Sequence, residues 1–150
     1  MLKSINVLPE DKKTAGVHCV PITENGSLVM AWDKEEDLLT TIGGRLEGDE
    51  SIEEALAREA MEEVGLIIGP ERIPFASWYW ESTDSYTVWF LVRVHELLPY
   101  SFDFEKSGHV IFNFETAKHM VPKLEPGVTK RRDLLLLAEE KVKELQLHNV

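Results

Sequence analysis

The sequence predicts a single α/β domain in which helices cover a mixed β-sheet. Its 150 residues suit one compact domain, because two domains would each fall near the lower size limit for an independent core. Hydrophobic residues make up 43% and charged residues 29%, as in globular chains rather than disordered ones. Runs of β-branched and aromatic residues alternate with segments of helical periodicity. We therefore expect one domain over residues 1–150.

Several segments are rich in strand-forming residues and are bounded by turn residues. They are Gly16–Thr23, Ser27–Trp32, Leu38–Ile42, Ile73–Trp80, Ser85–Val94 and His109–Phe114. Asn25 and Gly26 lie between the first two segments, which predicts a hairpin. Ser82, Thr83 and Asp84 predict a second hairpin, between the segments that begin at residues 73 and 85.

The first predicted helix has recognisable ends. Ser51 is its expected N-cap, and Glu54, three residues later, completes a capping box. Gly65 suits a left-handed C-terminal cap. The helix is therefore predicted over Ile52–Val64.

A second helix is predicted near the C-terminal end of the sequence. Apolar residues recur at steps of three and four over Lys130–Leu147, which is the period of an amphipathic helix. Before it, Glu115–Met120 is expected to form one helical turn. Pro122–Thr129 is then expected to break the chain, because proline disfavours helix continuation.

The overall charge excludes several classes of partner. Sixteen lysines and arginines against 27 aspartates and glutamates leave a net charge of −11 at pH 7. Such a chain does not attract duplex nucleic acid or an anionic membrane by charge. No apolar run approaches the roughly 20 residues of a membrane span, and the N-terminus lacks a secretory signal. The single cysteine, Cys19, suits a buried core position and cannot form an intrachain disulfide, so we expect the cytoplasm.

The negative charge is concentrated between Arg45 and Gly65. This stretch holds eight acidic residues and two arginines, so eight minus two gives −6 of the total. A solvated helix face explains most such runs. On a helical wheel, however, Glu59, Glu62 and Glu63 share one face with apolar residues of the preceding two turns. This placement turns the three carboxylates inward.

Three carboxylates withdrawn from water repel one another and take up protons unless a cation is present. All-oxygen ligands favour Mg²⁺, Mn²⁺ or Ca²⁺ over zinc. The sequence offers no cysteine pair or paired-histidine motif for zinc. His18 and His109 lie in predicted strands, where a hydrogen-bonded structural histidine is expected.

Seven residues in this stretch occur at the spacing of a known motif. They are Gly44, Glu50, Arg58, Glu59, Glu62, Glu63 and Gly65. With these residues, the segment 44–66 resembles the Nudix box. The resemblance implies an α/β/α sandwich with a mixed sheet. It also implies hydrolysis of a nucleoside diphosphate linked to a group X by attack of water on a bridging phosphorus, with MutT-like cleavage of a nucleoside triphosphate as the expected reaction.

The resemblance assigns the metal site to the first predicted helix and the glycine pair before it. Glu59, Glu62 and Glu63 would hold divalent ions, Mg²⁺ or alternatively Mn²⁺. The backbone carbonyl of Gly43 would be a further ligand. Glu62 and Glu63 would also serve catalysis.

Other residues would support this site, namely Gly44, Glu50, Arg58 and Gly65. Arg58 and Glu50 would pair and brace the preceding loop onto the helix. The sequence departs from the family pattern at Ala60, which replaces a bulky aliphatic residue, and at Ile42, where a proline often stands. Neither departure removes a ligand.

Family members often use another carboxylate from a late loop as general base or extra ligand. Glu105 matches best by its order in the chain, and Glu96 and Glu115 are its rivals. An exposed loop acid without a role is the alternative for each of them.

Substrate contacts are expected from Arg45, Trp78 and Trp80. Strand alternation places the two tryptophans on one side of their strand, where the rings can stack on a nucleobase. Core or dimer packing is the alternative role for these rings. Residues 130–132, Lys-Arg-Arg, can touch phosphate or form a solvated helix N-terminus.

The resemblance leaves alternatives for the function. ADP-ribose, nucleotide sugars, dinucleoside polyphosphates and capped RNA ends are other substrates of this chemical class. A nucleotide-sensing module without turnover is the alternative from another class. A small-molecule nucleotide is the expected partner. The resemblance to the family also makes a homodimer a reasonable expectation.

Overall fold

The computed structural model describes residues 1–148, which form nine strands and three helices. The strands are β1 (Leu2–Ser4), β2 (Lys13–Ile22), β3 (Leu28–Asp33), β4 (Leu38–Thr40), β5 (Ile42–Arg45), β6 (Leu66–Ile68), β7 (Ile73–Trp80), β8 (Ser85–Leu97) and β9 (Gly108–Phe112). The helices are α1 (Ile52–Val64), α2 (Phe114–Leu124) and α3 (Lys130–His148). No helix in this part of the chain is long and apolar enough to cross a membrane.

The sheet is mixed, as the sequence predicts. Its main path runs β1-β7-β8-β2-β3-β4, with β5 paired to β2, β6 to β8 and β9 to β3. Strands β2 and β8 are parallel, and the other pairs are antiparallel. The parallel register places His18 beside Trp89 at the centre of the sheet.

Helices cover both faces of the sheet and give it two cores. On one face α1 packs Leu56 and Ala60 against Val17 and Phe90. On the other face α2 and α3 pack against residues such as Val20. Because neighbouring side chains on a strand alternate between faces, His18 and Trp89 lie on the α3 side. The predicted α/β/α sandwich and the buried position of Cys19 are both confirmed.

The ends of α1 are those predicted from the sequence. The Ser51 side chain accepts a hydrogen bond from the Glu54 amide, and the Glu54 side chain accepts one from the Ser51 amide. Gly65 ends the helix with φ of 68°, a left-handed conformation that costs glycine little. A Cβ atom on Gly65 would also overlap the ring of Phe104, so no larger residue fits there.

The structure corrects the prediction after β9. The predicted strand His109–Phe114 ends at Phe112, because the Asn113 side chain accepts a hydrogen bond from the Thr116 amide and caps α2. The helix is longer than one turn and continues through Pro122 to Leu124. Its residues 114, 117 and 121 are buried against the sheet, and proline near the helix end removes only one backbone donor.

Other boundaries differ because short strands carry little periodicity. Strands β1 and β6 have three residues each and are too short for a sequence pattern to predict. The predicted segment Leu38–Ile42 divides at Thr41 into β4 and β5, which pair with different strands. Both predicted hairpins are present, with Gly26 and Asp84 at positive φ in their turns.

Candidate active site

Three carboxylates from two elements converge at the C-terminal half of α1. Glu59, Glu63 and Glu105 each have an oxygen atom within 4.8 Å of the other two. Glu59 is 9% exposed and Glu63 is 4% exposed, while Glu105 is open to solvent. The inward direction predicted from the helical wheel is therefore present for two of the three box glutamates.

Glu105 reaches the cluster because its loop is fastened to the end of α1. Its backbone amide donates to the Glu62 carbonyl at 2.9 Å, and the Lys106 amide donates to the Glu63 carbonyl at 3.0 Å. These bonds satisfy carbonyl groups that a helix end leaves free. Phe104 packs on Gly65 and fixes the same loop.

The two rivals of Glu105 lie elsewhere. Glu96 is on β8 opposite Ile67 of β6. Glu115 is in the first turn of α2 and forms an exposed ion pair with Lys118 at 2.9 Å. The structure thus places Glu105, and neither rival, beside Glu59 and Glu63.

Glu62 is more exposed than Glu59 and Glu63, and it shares the Nη1 atom of Arg58 with Glu59, which accepts from it at 3.1 Å. The Glu62 carboxylate accepts a hydrogen bond from Nη1 of Arg58 at 3.1 Å, and its side chain is 46% exposed. It lies at the edge of the carboxylate face and outside the cluster of three.

Arg58 joins the helix to the loop before it. Its Nε and Nη2 atoms donate to the two oxygens of Glu50 at 2.6 and 2.9 Å, and Nη2 also donates to the Arg45 carbonyl at 3.1 Å. The fork geometry matches both carboxylate oxygens at once. Arg58 holds the pKa of Glu50 down at about 2, so this carboxylate stays charged at neutral pH.

The paired glycines let strand β5 approach the carboxylates. The amide of Gly43 donates to Oε2 of Glu63 at 2.7 Å. A Cβ atom on Gly43 would overlap the Val17 carbonyl of β2. On Gly44 it would lie 2.5 Å from Oε1 of Glu59. Both positions therefore require glycine for close approach rather than for an unusual φ.

Burial makes the two inner carboxylates costly to ionise. Desolvation raises the pKa of Glu63 to about 8, against the opposing effect of the Gly43 amide, and it also raises the pKa of Glu59. Lys106 lies nearby, with Nζ 3.2 Å from Asp33 and 4.0 Å from Glu63. A desolvated set of oxygen ligands that resists ionisation fits a hard divalent cation.

A cleft lies next to Gly44, the glycine that contacts Glu59, and continues on the α3 side of the sheet. Beside Gly44 and Arg45 it is lined by His18, Trp80 and Thr87. His18, Trp80 and Thr87 also line a second part of the cleft, which lies beneath the N-terminus of α3. Arg45 and Trp80, both predicted to contact substrate, therefore line the same part of this cleft.

Trp78 and Trp80 lie together, as strand alternation predicts. Their rings contact the ammonium group of Lys130. The ring centroids of Trp78 and Trp80 are 5.7 Å apart. The Lys130 ammonium lies 4.2 Å from the Trp78 ring centroid, 4.9 Å from that of Trp80 and 5.4 Å from that of Trp89. The ring faces toward α3 are thus covered by Lys130.

His18, Lys106 and Lys130 are the residues that the site adds to the predicted set. His18 alternates with buried apolar residues of β2, and its Nδ1 lies 3.0 Å from the Thr41 hydroxyl. Burial lowers its pKa to about 4, so it is neutral at physiological pH. The run of basic residues at 130–132 indicated a possible role for Lys130, whereas no sequence pattern indicates a role for Lys106.

Comparisons with known proteins agree with this architecture. The chain matches the NUDIX domain family over residues 12–136. A NUDIX hydrolase from Nitrosomonas europaea is 17% identical, with a TM-score of 0.61 over 88% of this chain and 90% of that chain. A MutT protein from Methanosarcina mazei is 17% identical, with a TM-score of 0.56 over 90% of this chain and 99% of that chain.

A third solved structure, a mutant of the Bacillus subtilis pyrophosphohydrolase BsRppH, is 17% identical. Its TM-score is 0.60 over 74% of this chain and 70% of that chain. No curated protein matches the sequence. The structural likenesses establish the fold, and the domain match extends over most of the chain. The chain therefore belongs to the NUDIX domain family and is a Nudix hydrolase.

Proposed function

We propose that the protein hydrolyses a phosphoanhydride bond of a nucleoside diphosphate linked to a group X, with a ribo- or deoxyribonucleoside triphosphate as the expected substrate. The observation that carries the proposal is the cluster of Glu59, Glu63 and Glu105, with a cleft beside Gly44, which contacts Glu59. The cluster suits the metal-bound phosphates of such a substrate, and the cleft provides room for the nucleoside.

The protein's residues would hold the metal ion and orient the phosphate groups and the attacking water. Mg²⁺, with Mn²⁺ as an alternative, would neutralise phosphate charge and acidify a bound water. Glu59 and Glu63 would hold it from buried positions, with the Gly43 carbonyl as a further ligand. Glu105 would accept a proton from the attacking water, because it is the exposed member of the cluster. Arg45 would contact phosphate from the cleft.

Glu62 is proposed as a metal ligand and catalytic residue despite its contact with Arg58. An ion pair between residues four apart on a helix, with this exposure, contributes only about 0.5 kcal/mol. Binding of a divalent ion would offset the loss of that pair. Arg58 would keep its contacts with Glu50 when Glu62 turns.

The choice of leaving group has several alternatives. MutT-like triphosphate cleavage suits the Glu59, Glu63 and Glu105 cluster with the cleft beside Gly44. ADP-ribose, a nucleotide sugar or a dinucleoside polyphosphate would use the same carboxylates with a different group in the cleft. A sensing module without turnover has no physical need for a desolvated cluster that is costly to ionise.

The experiment is a substrate panel with product identification. The purified protein is incubated with nucleoside triphosphates, ADP-ribose, nucleotide sugars and dinucleoside polyphosphates, with Mg²⁺ or Mn²⁺. Release of pyrophosphate from a triphosphate is the expected result. Glu63→Gln and Glu62→Gln should abolish turnover and leave folding intact, while Glu96→Gln should have no effect. Absence of hydrolysis across the panel, with nucleotide binding retained, would favour the sensing module.

A homodimer and a cytoplasmic location are proposed as well. The free, buried Cys19 is compatible with a reducing compartment. The side chains of Tyr100 and Phe102 are 51% and 94% exposed and form an apolar patch that a second copy could cover. Light scattering on the purified protein tests the dimer, and a monomer at micromolar concentration would contradict it. Cell fractionation tests the location.

A further inference from the structure

The part of the cleft beneath α3 has a volume of about 250 Å³. Its lining includes His18, Trp80 and Thr87, which also line the part beside Gly44. A substrate whose phosphates lie at the carboxylates would therefore place its far end, the nucleobase, in this region. This step rests on the proposed function.

The ammonium group of Lys130 is held in this region without a carboxylate. Among residues 1–148, no carboxylate oxygen lies within 4 Å of its Nζ, whereas the neighbouring Arg131 pairs with Glu125. Three indole rings replace the missing anion, because their faces attract a cation. The amino group therefore retains donor capacity for a ligand.

A second observation also points to a ligand with hydrogen-bond acceptors. Trp89 is 5% exposed, and its indole N–H has no acceptor within residues 1–148. A buried donor without a partner destabilises the protein until an acceptor satisfies it. Trp89 and Lys130 both line the cleft beneath α3, so a buried donor without an acceptor and an ammonium group without a carboxylate lie in the same region.

We propose that Lys130 is a specificity-determining residue that selects a nucleobase with a keto oxygen, of the guanine type, over its amino counterpart. Guanine presents two neighbouring acceptors, N7 and O6, on one edge. Adenine has an amino donor in place of O6, and this donor would face the ammonium group. A purine with the keto oxygen therefore gains a charge-assisted hydrogen bond that adenine cannot make.

The test compares Lys130→Met with wild type in two measurements. Calorimetric titration with GMP and AMP in the absence of metal reports base recognition without turnover. The ratio of kcat/KM for GTP and ATP with Mg²⁺ reports it during hydrolysis. A good contact of this kind discriminates by about 1–3 kcal/mol, so wild type should favour the guanine nucleotide by about 5- to 150-fold. In Lys130→Met the ratio should approach one.

Lys143→Met is the matched control, because Lys143 is an exposed lysine on the same helix. It should keep the wild-type ratio. A wild-type ratio near one, or an unchanged ratio in folded Lys130→Met, overturns the proposal. So does an equal loss of affinity for GMP, AMP and inorganic phosphate, which would mark Lys130 as a phosphate ligand. If no nucleotide is hydrolysed but GMP binding still depends on Lys130, the proposed function fails and this inference stands.

Discussion

Gly44 and Glu59 are so close that a Cβ atom on the glycine would lie 2.5 Å from Oε1 of the glutamate. Gly44→Ala must therefore displace the Glu59 carboxylate from the cluster. A displacement of about 1 Å can reduce catalysis about 100-fold. We expect kcat/KM to fall by about this factor, with a small change in melting temperature, measured by steady-state kinetics and calorimetry.

Gly43→Ala is the matched comparison, because its Cβ atom would overlap backbone of β2 instead of a side chain. Backbone cannot move as a side chain does, so this variant should lose more stability, by about 1–3 kcal/mol or more. A Gly44→Ala protein with full activity would show that Glu59 need not occupy its observed position.

Of the three acidic residues downstream of α1, only Glu105 is predicted to contribute to turnover. Glu105→Gln keeps the shape of the side chain but removes its proton-accepting carboxylate. Loss of a general base reduces turnover by about 10²- to 10⁴-fold. Glu96→Gln and Glu115→Gln should retain kcat, since both residues lie away from the cluster. Equal kcat for Glu105→Gln and wild type would remove Glu105 from the mechanism.

The Arg58–Glu50 pair predicts that charge alone is insufficient at position 58. Arg58→Lys keeps a cation but loses the two-pronged contact with Glu50 and the hydrogen bond to the Arg45 carbonyl. Supporting residues of metal sites typically change affinity or activity by 10- to 100-fold. We expect half-maximal activity to require about 10- to 100-fold more Mg²⁺, and a lower melting temperature. Lys143→Arg serves as a control on the exposed face of α3, and an unchanged Mg²⁺ titration for Arg58→Lys would contradict the bracing role.

Local sequence signals predicted the part of the site that lies on α1. The capping box at Ser51 and the left-handed cap at Gly65 set the helix limits, because both depend on residues within one turn. The wheel then placed Glu59 and Glu63 inward, since the helix packs on the sheet through the same face. It placed Glu62 inward as well, whereas this side chain is 46% exposed and contacts Arg58 at the edge of the face.

The rest of the site depends on contacts between distant segments. Glu105 and Lys106 reach α1 through backbone hydrogen bonds of a loop that has no periodicity. The basic run at Lys130 was visible, but only packing of α3 over β7 and β8 places its ammonium on the rings of Trp78 and Trp80. Pro122 suggested a chain break, whereas burial of the preceding turns of α2 outweighs the lost hydrogen bond.

The buried carboxylate of Glu63 predicts that the metal-free protein loses stability as the pH rises from about 7 to 8. Its pKa is about 8 in the folded protein and 4.5 ordinarily, so only the folded state keeps the proton in this range. Stability falls with pH wherever the folded state binds more protons. His18, with its pKa lowered from 6.5 to about 4, has the opposite effect, mainly below pH 6.5. The range from pH 7 to 8 therefore lies above most of the His18 effect and close to the folded-state pKa of Glu63.

The expected loss over this range is about 1 kcal/mol, or about 2–4 °C in melting temperature. Calorimetry in chelator at pH 7 and pH 8 measures it. Glu63→Gln should melt at nearly the same temperature at both values, because it has no proton to lose. His18→Gln should keep the wild-type decline, since the neutral ring does not titrate there. A decline of equal size in Glu63→Gln would assign the effect to another group, and saturating Mg²⁺ should remove it from wild type by binding the charged carboxylates.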